Sequence, residues 1–258
     1  MTEAGKTSGE ALVRIVEVKP IAGRDLVILE GFPDVGLVGA IATSYLVDRL
    51  GFEEAGYIDA ELLPPIISVR NERIKELIRI YFKNDLVAIV SDVPIPPAMI
   101  KPMGQRIVEW AKEKGARLIL SLSGLPEPNR LDLEKPQIYV LGSRPEVTEM
   151  LAKQDGVKKF KDGFIAGIKG IILREAMRAG IDAAIILAQS HYNYPDPGAA
   201  GQVVSYLSRI LNIEVDVKPL LESAEELKLR LRDLMRRTDQ MMQGVQKSKE
   251  LELPPVYL

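Results

Sequence analysis

Three runs, "DLVAIVSD" (residues 85–92), "ARLILSLSG" (116–124) and "DAAIILAQS" (182–190), are apolar along their length without alternating. A strand with one wet face alternates apolar and polar residues, so a strand without alternation is covered on both faces. Between and around the runs lie segments of helical spacing: "PPAMIKPMGQRIVEWAKEKG" (96–115), "IAGIKGIILREAMRAG" (165–180) and "PGAAGQVVSYLSRILN" (197–212). Buried strands alternating with amphipathic helices leave few architectures open. The expectation is an α/β fold with a mostly parallel sheet sandwiched by helices.

The rest of the chain fits that frame. "ALVRIVEVKP", "DLVILEG", "GYIDAELL", "PIISVRN", "LIRIYFKN" and "QIYVLGS" read as further strands. "DVGLVGAIATSYLVDRLG" (34–51) reads as a helix, with Asp34 as N-cap and Gly51 as stop, and "RPEVTEMLAKQ" as another. Hydrophobic residues make up 47% of the 258, enough for a sizeable core. The 34 Lys+Arg against 36 Asp+Glu give a net charge of −2, which argues against a nucleic-acid binder. No cysteine is present, so thiolate metal sites and cysteine nucleophiles are excluded. The start "MTEAGKTSGEALV" is not a signal peptide, and no apolar run reaches the ~20 residues that span a bilayer. The expectation is a soluble, cytoplasmic protein with no membrane partner.

Four regions are expected: a disordered N-terminus (1–10), an α/β core domain (11–218), an amphipathic C-terminal helix (219–244) and a flexible tail (245–258). In the helix, Leu220, Ala224, Leu227, Leu231, Leu234, Thr238, Met241 and Val245 repeat at alternating spacings of four and three. That is a heptad seam. It either packs back onto the core or meets other subunits; in the second case Leu220, Leu227, Leu231, Leu234 and Met241 carry oligomerisation.

Chemical motifs are sparse. "GFPDVGLVGA" (31–40) sits where phosphate loops occur, but Leu37 and Val38 stand where such a loop needs Lys and then Ser or Thr. Gly31, Gly36 and Gly39 are better read as a tight turn and a close helix–sheet contact. Four loops follow strand ends, "GFPDVG", "SDVPIPP", "SGLPEPNR" and "QSHYNYPDPG", at the edge where open α/β sheets bind ligands. They offer Asp34, Asp92, Ser123, Arg130, His191 and Asp196. Each has a structural reading as well: Asp34 and Asp196 as helix caps, Asp92 as the brace of a proline turn, Ser123 as the residue before a turn, and the lone His191 as a hydrogen-bonded structural residue. No His/Asp/Glu cluster has metal-ligand spacing, and no G-x-S-x-G elbow occurs. No cofactor is expected.

"LEGFPDVGLVGAIATSYLVDRLG" with "GYIDAELLPPIISVRN", followed by "DVPIPP" and "LSGLP", resembles the proteasome-assembly-chaperone family in its archaeal branch, over roughly residues 10–245. The resemblance implies a fold similar to that of nucleoside phosphorylases, no enzymatic activity, and a homo-oligomer, with tetramer or pentamer favoured. The last residues extend it. Proteasome activators and some assembly chaperones of this kind end in a hydrophobic residue, a tyrosine and any final residue, and Val256, Tyr257 and Leu258 match. By that resemblance the tail docks between α-subunits of the 20S proteasome, with Pro254 and Pro255 pre-extending it. Assembly chaperone and gate-opening activator both stay open. The alternative is a phosphorylase-like or hydrolase-like enzyme using the loops around Asp92, Ser123 and His191.

Overall fold

A computed structural model describes the backbone of residues 12–252 and the side chains of residues 12–243. The elements run β1 (Val13–Glu17), β2 (Val27–Gly31), α1 (Val38–Leu50), β3 (Glu53–Ala60), β4 (Ser68–Arg70), β5 (Arg73–Lys75), β6 (Ile78–Lys83), β7 (Leu86–Ser91), α2 (Pro97–Glu113) and β8 (Leu118–Pro126). They continue with β9 (Ile138–Gly142), α3 (Pro145–Ala152), β10 (Val157–Lys159), α4 (Gly167–Ala179), β11 (Ala183–Ser190), α5 (Pro197–Leu211), α6 (Lys218–Glu222) and α7 (Ala224–Glu252).

Nine strands form one sheet in the order β1-β3-β6-β7-β2-β8-β11-β9-β10. The three runs that do not alternate, now β7, β8 and β11, join β2 in a parallel centre. Toward β1 the sheet is antiparallel, through β6–β7, β3–β6 and β1–β3. On the other side β9 is antiparallel to β11 and parallel to β10. The sheet is therefore mixed rather than parallel throughout. The two-residue link at Asn84–Asp85 makes a hairpin return from β6 to β7, and the connection from β3 to β6, which carries the β4–β5 hairpin, contains no helix that would force a parallel crossover.

Side chains alternate across β2 and β8 into two cores. Leu29, Leu120 and Leu122 face α1, α3 and α5, while Ile28 and Ile119 face α2 and α4. The three glycines of the first crossover act as expected. Gly36 adopts φ 59°, and a Cβ on Gly39 would stand 2.1 Å from the Leu122 carbonyl oxygen, so glycine lets α1 lie directly on β8.

Two boundaries differ from the sequence reading. Asp34 does not cap α1: a 3-10 turn at Val35–Leu37 intervenes, and Leu37, at φ 51°, holds the N-cap position. The C-terminal helix does not stop at Gly244 but continues to Glu252. A single glycine in a helix costs only about 1 kcal/mol relative to alanine, and the flanking Gln, Lys and Glu residues favour helix. The expected tail from 245 thus begins as helix, and Pro254, Pro255, Val256, Tyr257 and Leu258 lie outside the described residues, as do residues 1–10. Among the described residues no helix is long and apolar enough to cross a membrane.

Candidate functional site

The C-terminal ends of β2, β7, β8 and β11 place the four loops on one edge of the sheet. Beneath them lies a cluster the sequence reading missed. Glu30, at the end of β2, is fully buried, and Lys169, in the first turn of α4, is 5% exposed at its side chain. The Lys169 ammonium lies 3.1 Å from Glu30 Oε1 and 3.2 Å from Asp34 Oδ2, and donates to the Phe32 carbonyl at 3.3 Å. Ser123 Oγ donates to Asp34, and the Phe32 amide donates to Glu30 at 2.8 Å. Asp34 turned inward is what the lost helix cap means physically: its carboxylate serves the buried lysine instead of the helix.

The charges follow from burial. Burial pushes the Asp34 carboxyl up to about 6, against the pull of Lys169 and the Ser123 hydroxyl. Burial also works against a charged Lys169, but Asp34 and Glu30 outweigh it and hold its pKa above the usual lysine value. Lys169 is thus held as a cation by the two carboxylates. Ser123 donates its hydroxyl hydrogen bond to a carboxylate already engaged by lysine. Two signals could have flagged this cluster: a glutamate closing an otherwise apolar buried strand, and a lysine among Ile168, Ile171 and Ile172. Neither has a partner visible in local sequence.

Above the cluster is a cavity of about 320 Å³ lined mostly by apolar groups, including Phe32, Ile95, Ile100, Phe164, Met241 and Met242. The two methionines belong to α7, which lies across the strand ends and touches the Val35–Leu37 turn and α2. Leu220 is buried in the core of this same chain, and Leu227, Leu231 and Leu234 pack against it. Within one chain Leu220, Leu227, Leu231 and Leu234 are therefore packed on its own α/β unit.

The charged loop residues Arg130, Asp196 and Asp92 are held in separate ion pairs. Arg130 grips Asp196 through two bonds, at 2.7 and 3.0 Å. Asp196 caps α5 as expected, accepting from the Ala199 amide at 2.9 Å. Asp92 does not brace its proline turn; it receives Arg79 at 2.7 and 2.8 Å, Arg70 at 2.7 Å and Ser68 at 2.8 Å. Ser123 lies within β8, which runs on to Pro126. The His191 ring meets Tyr194 edge-on, its centroid 6.2 Å away, and burial lowers its pKa. Among the described residues no hydrogen bond joins the His191 ring to Ser123 or Asp92.

A nine-stranded mixed sheet, two helical layers and a long C-terminal helix laid over the strand ends define an α/β scaffold with an appended helix. The chain belongs to the PAC2 family, whose model matches residues 28–235. It is similar to Pyrococcus furiosus PbaA, described as an archaeal homolog of proteasome-assembly chaperone: 32% identity, TM-score 0.82, covering 88% of this chain and 98% of that one. Pyrococcus furiosus PbaB, an archaeal proteasome activator, shares the fold at 22% identity and TM-score 0.74, over 87% of this chain and 99% of that one. An uncharacterized protein of Methanocaldococcus jannaschii is 25% identical over 246 residues, 95% of this chain and 98% of that one.

Proposed function

We propose that this protein is a proteasome assembly chaperone or activator that binds the α-ring of the 20S proteasome through its C-terminal tail and acts as a homo-oligomer in the cytoplasm. The observation that carries the reading is the likeness to PbaA along nearly the whole chain. The loop chemistry supports a binding protein rather than an enzyme. Asp92 is committed to two arginines, Ser123 to Asp34, and the imidazole to an aromatic contact.

In this mechanism α7 is a strut. Leu227, Leu231 and Leu234 fasten its first half to the body, and its 29 residues measure about 43 Å at 1.5 Å each. Residues 253–258 add ~20 Å at most if extended. The Leu258 carboxylate pairs with a lysine between α-subunits, a charge-assisted contact. Tyr257 is the flat anchor, Val256 fills an apolar wall, and Pro254 and Pro255 lower the ordering cost. One such tail binds weakly. Several tails on one oligomer raise avidity by roughly 10²–10⁴ through effective concentration.

Capture of purified 20S α-subunits by the full-length protein tests the reading. Binding is expected; an α-ring that stays in the unbound fraction at micromolar concentration would refute it.

A further inference from the structure

The buried cluster beneath the loops is one positive charge short. Glu30 and Asp34 set two carboxylates against the single ammonium of Lys169. That ammonium is fully used: its three N–H bonds face Glu30 Oε1, Asp34 Oδ2 and the Phe32 carbonyl. The Ser123 hydroxyl donates to Asp34. What is left over is acceptors. Glu30 Oε2 and Asp34 Oδ1 are buried and have no hydrogen-bond partner among the described residues. Buried acceptors without a donor are uncommon and costly. The imbalance shows in Asp34, whose carboxyl is raised to about 6 by burial, with a smaller push from Glu30, although Lys169 is in contact.

Asp34 is also where the cluster meets open space. With Ser123 and Lys169 it lines the cavity of about 320 Å³, whose apolar walls include Phe32, Leu187, Met241 and Met242. That volume lies at the low end of the roughly 300–1,000 Å³ of small-molecule pockets, and apolar walls with a few convergent polar groups are their usual make-up. The Asp34 side chain keeps 19% of its surface exposed. Its Oδ1 is itself closed to water. A donor reaches it after a small turn of the carboxylate about χ2, a broad torsion. The two methionines are adaptable wall material, unbranched and favourable to aromatic rings.

We propose that this cavity is a binding site for a small amine, with a protonated amino head for Asp34 and an apolar body of about one ring for the wall of Phe32, Met241 and Met242. Charge complementarity selects the head. An ammonium brings both the missing cation and new donors to a cluster whose own donors are spent. An anionic head would add a third negative group beside two carboxylates. The N-terminus of α4, which also lines the cavity, carries about half a positive charge and does not reverse that balance. A neutral alcohol donates one bond but leaves the charge unbalanced. Thr238, Met241 and Met242 come from α7, so an occupied cavity also fastens that helix over the strand ends. The site is independent of where the tail docks.

Calorimetric titration of the full chain near neutral pH with phenethylamine, phenethyl alcohol and hydrocinnamate tests it, since the three probes share an apolar body and differ in the head. The amine is expected to bind, the alcohol to bind about tenfold or more weakly, as the loss of a charged hydrogen bond implies, and the carboxylate to bind weakest. Asp34→Asn is expected to erase the preference for amine over alcohol. Hydrogen exchange of the wild type locates the site without a variant, and decides the matter should Asp34→Asn fail to fold. The amine is expected to slow exchange at Phe32–Leu37 and at Thr238–Met242. An amine that does not bind at millimolar concentration overturns the proposal. So does an alcohol or carboxylate that binds as tightly, a preference that survives Asp34→Asn, or protection confined to other segments.

Discussion

Lys169 Nζ lies 3.1 Å from Glu30 Oε1 and 3.2 Å from Asp34 Oδ2, joining the first turn of α4 to the end of β2 and the loop that follows it. Each group is buried or nearly so, and each makes the burial of the others tolerable. Replacing Lys169 by Met leaves two carboxylates without their cation. The expected cost is about 3–5 kcal/mol in denaturant unfolding. The double variant Lys169→Met, Glu30→Gln should recover a good part of that. A single variant within 1 kcal/mol of wild type, roughly the value of an exposed pair, would show that the cluster is not structural.

The same cluster sets an unusual pH dependence. Burial raises the Asp34 carboxyl from 3.8 to about 6, so the folded chain holds that proton more tightly than the unfolded chain does. The stability Asp34 contributes is then full below about 3.8 and lost as pH rises through about 6. Asp34→Asn cannot ionise. Its stability relative to wild type should improve between pH 4 and pH 7, by on the order of 1–3 kcal/mol. A difference that stays constant across that window would contradict the assignment.

Asp92 behaves in the opposite way. Burial alone would raise it, but Arg79, Arg70 and Ser68 together hold it below the ordinary carboxylate range. Its contribution is present above the unfolded pKa and lost as pH falls through the lower, folded one. Asp92→Ala should cost about 3–5 kcal/mol by stranding buried Arg79, and should speed hydrogen exchange in β4 and β5. Arg70→Ala, removing an exposed partner, should cost less than about 1 kcal/mol. Unchanged exchange in the hairpin after Asp92→Ala would mean that the ion pair does not hold it.

Much of this architecture is legible in the sequence, for identifiable reasons. The parallel centre is visible because β7, β8 and β11 lack alternation, and the helix ends at Gly51 and Gly180 are visible because left-handed caps favour glycine. The antiparallel flanks are not visible, since strand direction is a property of the connection and of the partner, not of the strand. Asp34 is a plausible cap in one dimension; its inward turn depends on Lys169, far along the chain. Likewise Asp92 reads as a turn residue until Arg79 is seen beside it. Buried ion pairs are long-range facts, and a local pattern carries only one half of each.

The tail residues should be unequal. On the proposed docking, in which Tyr257 is the anchor, Tyr257→Ala should cost on the order of 2 kcal/mol or more per tail in α-ring affinity. Tyr257→Phe loses only a hydroxyl bond, about 0.5–1.5 kcal/mol. Leu258→Ala should be mild, whereas residues appended after Leu258 should be severe, because they displace the carboxylate. Calorimetric titration against isolated α-rings separates these cases. Equal losses for Tyr257→Ala and Tyr257→Phe would contradict the anchor role.

The most direct test of the central claim is a pull-down of 20S α-subunits with the intact protein and with a form lacking Val256, Tyr257 and Leu258. The account predicts that the intact protein retains the α-subunits, and that the truncated form loses them while melting at the same temperature. Equal retention by both forms would contradict it.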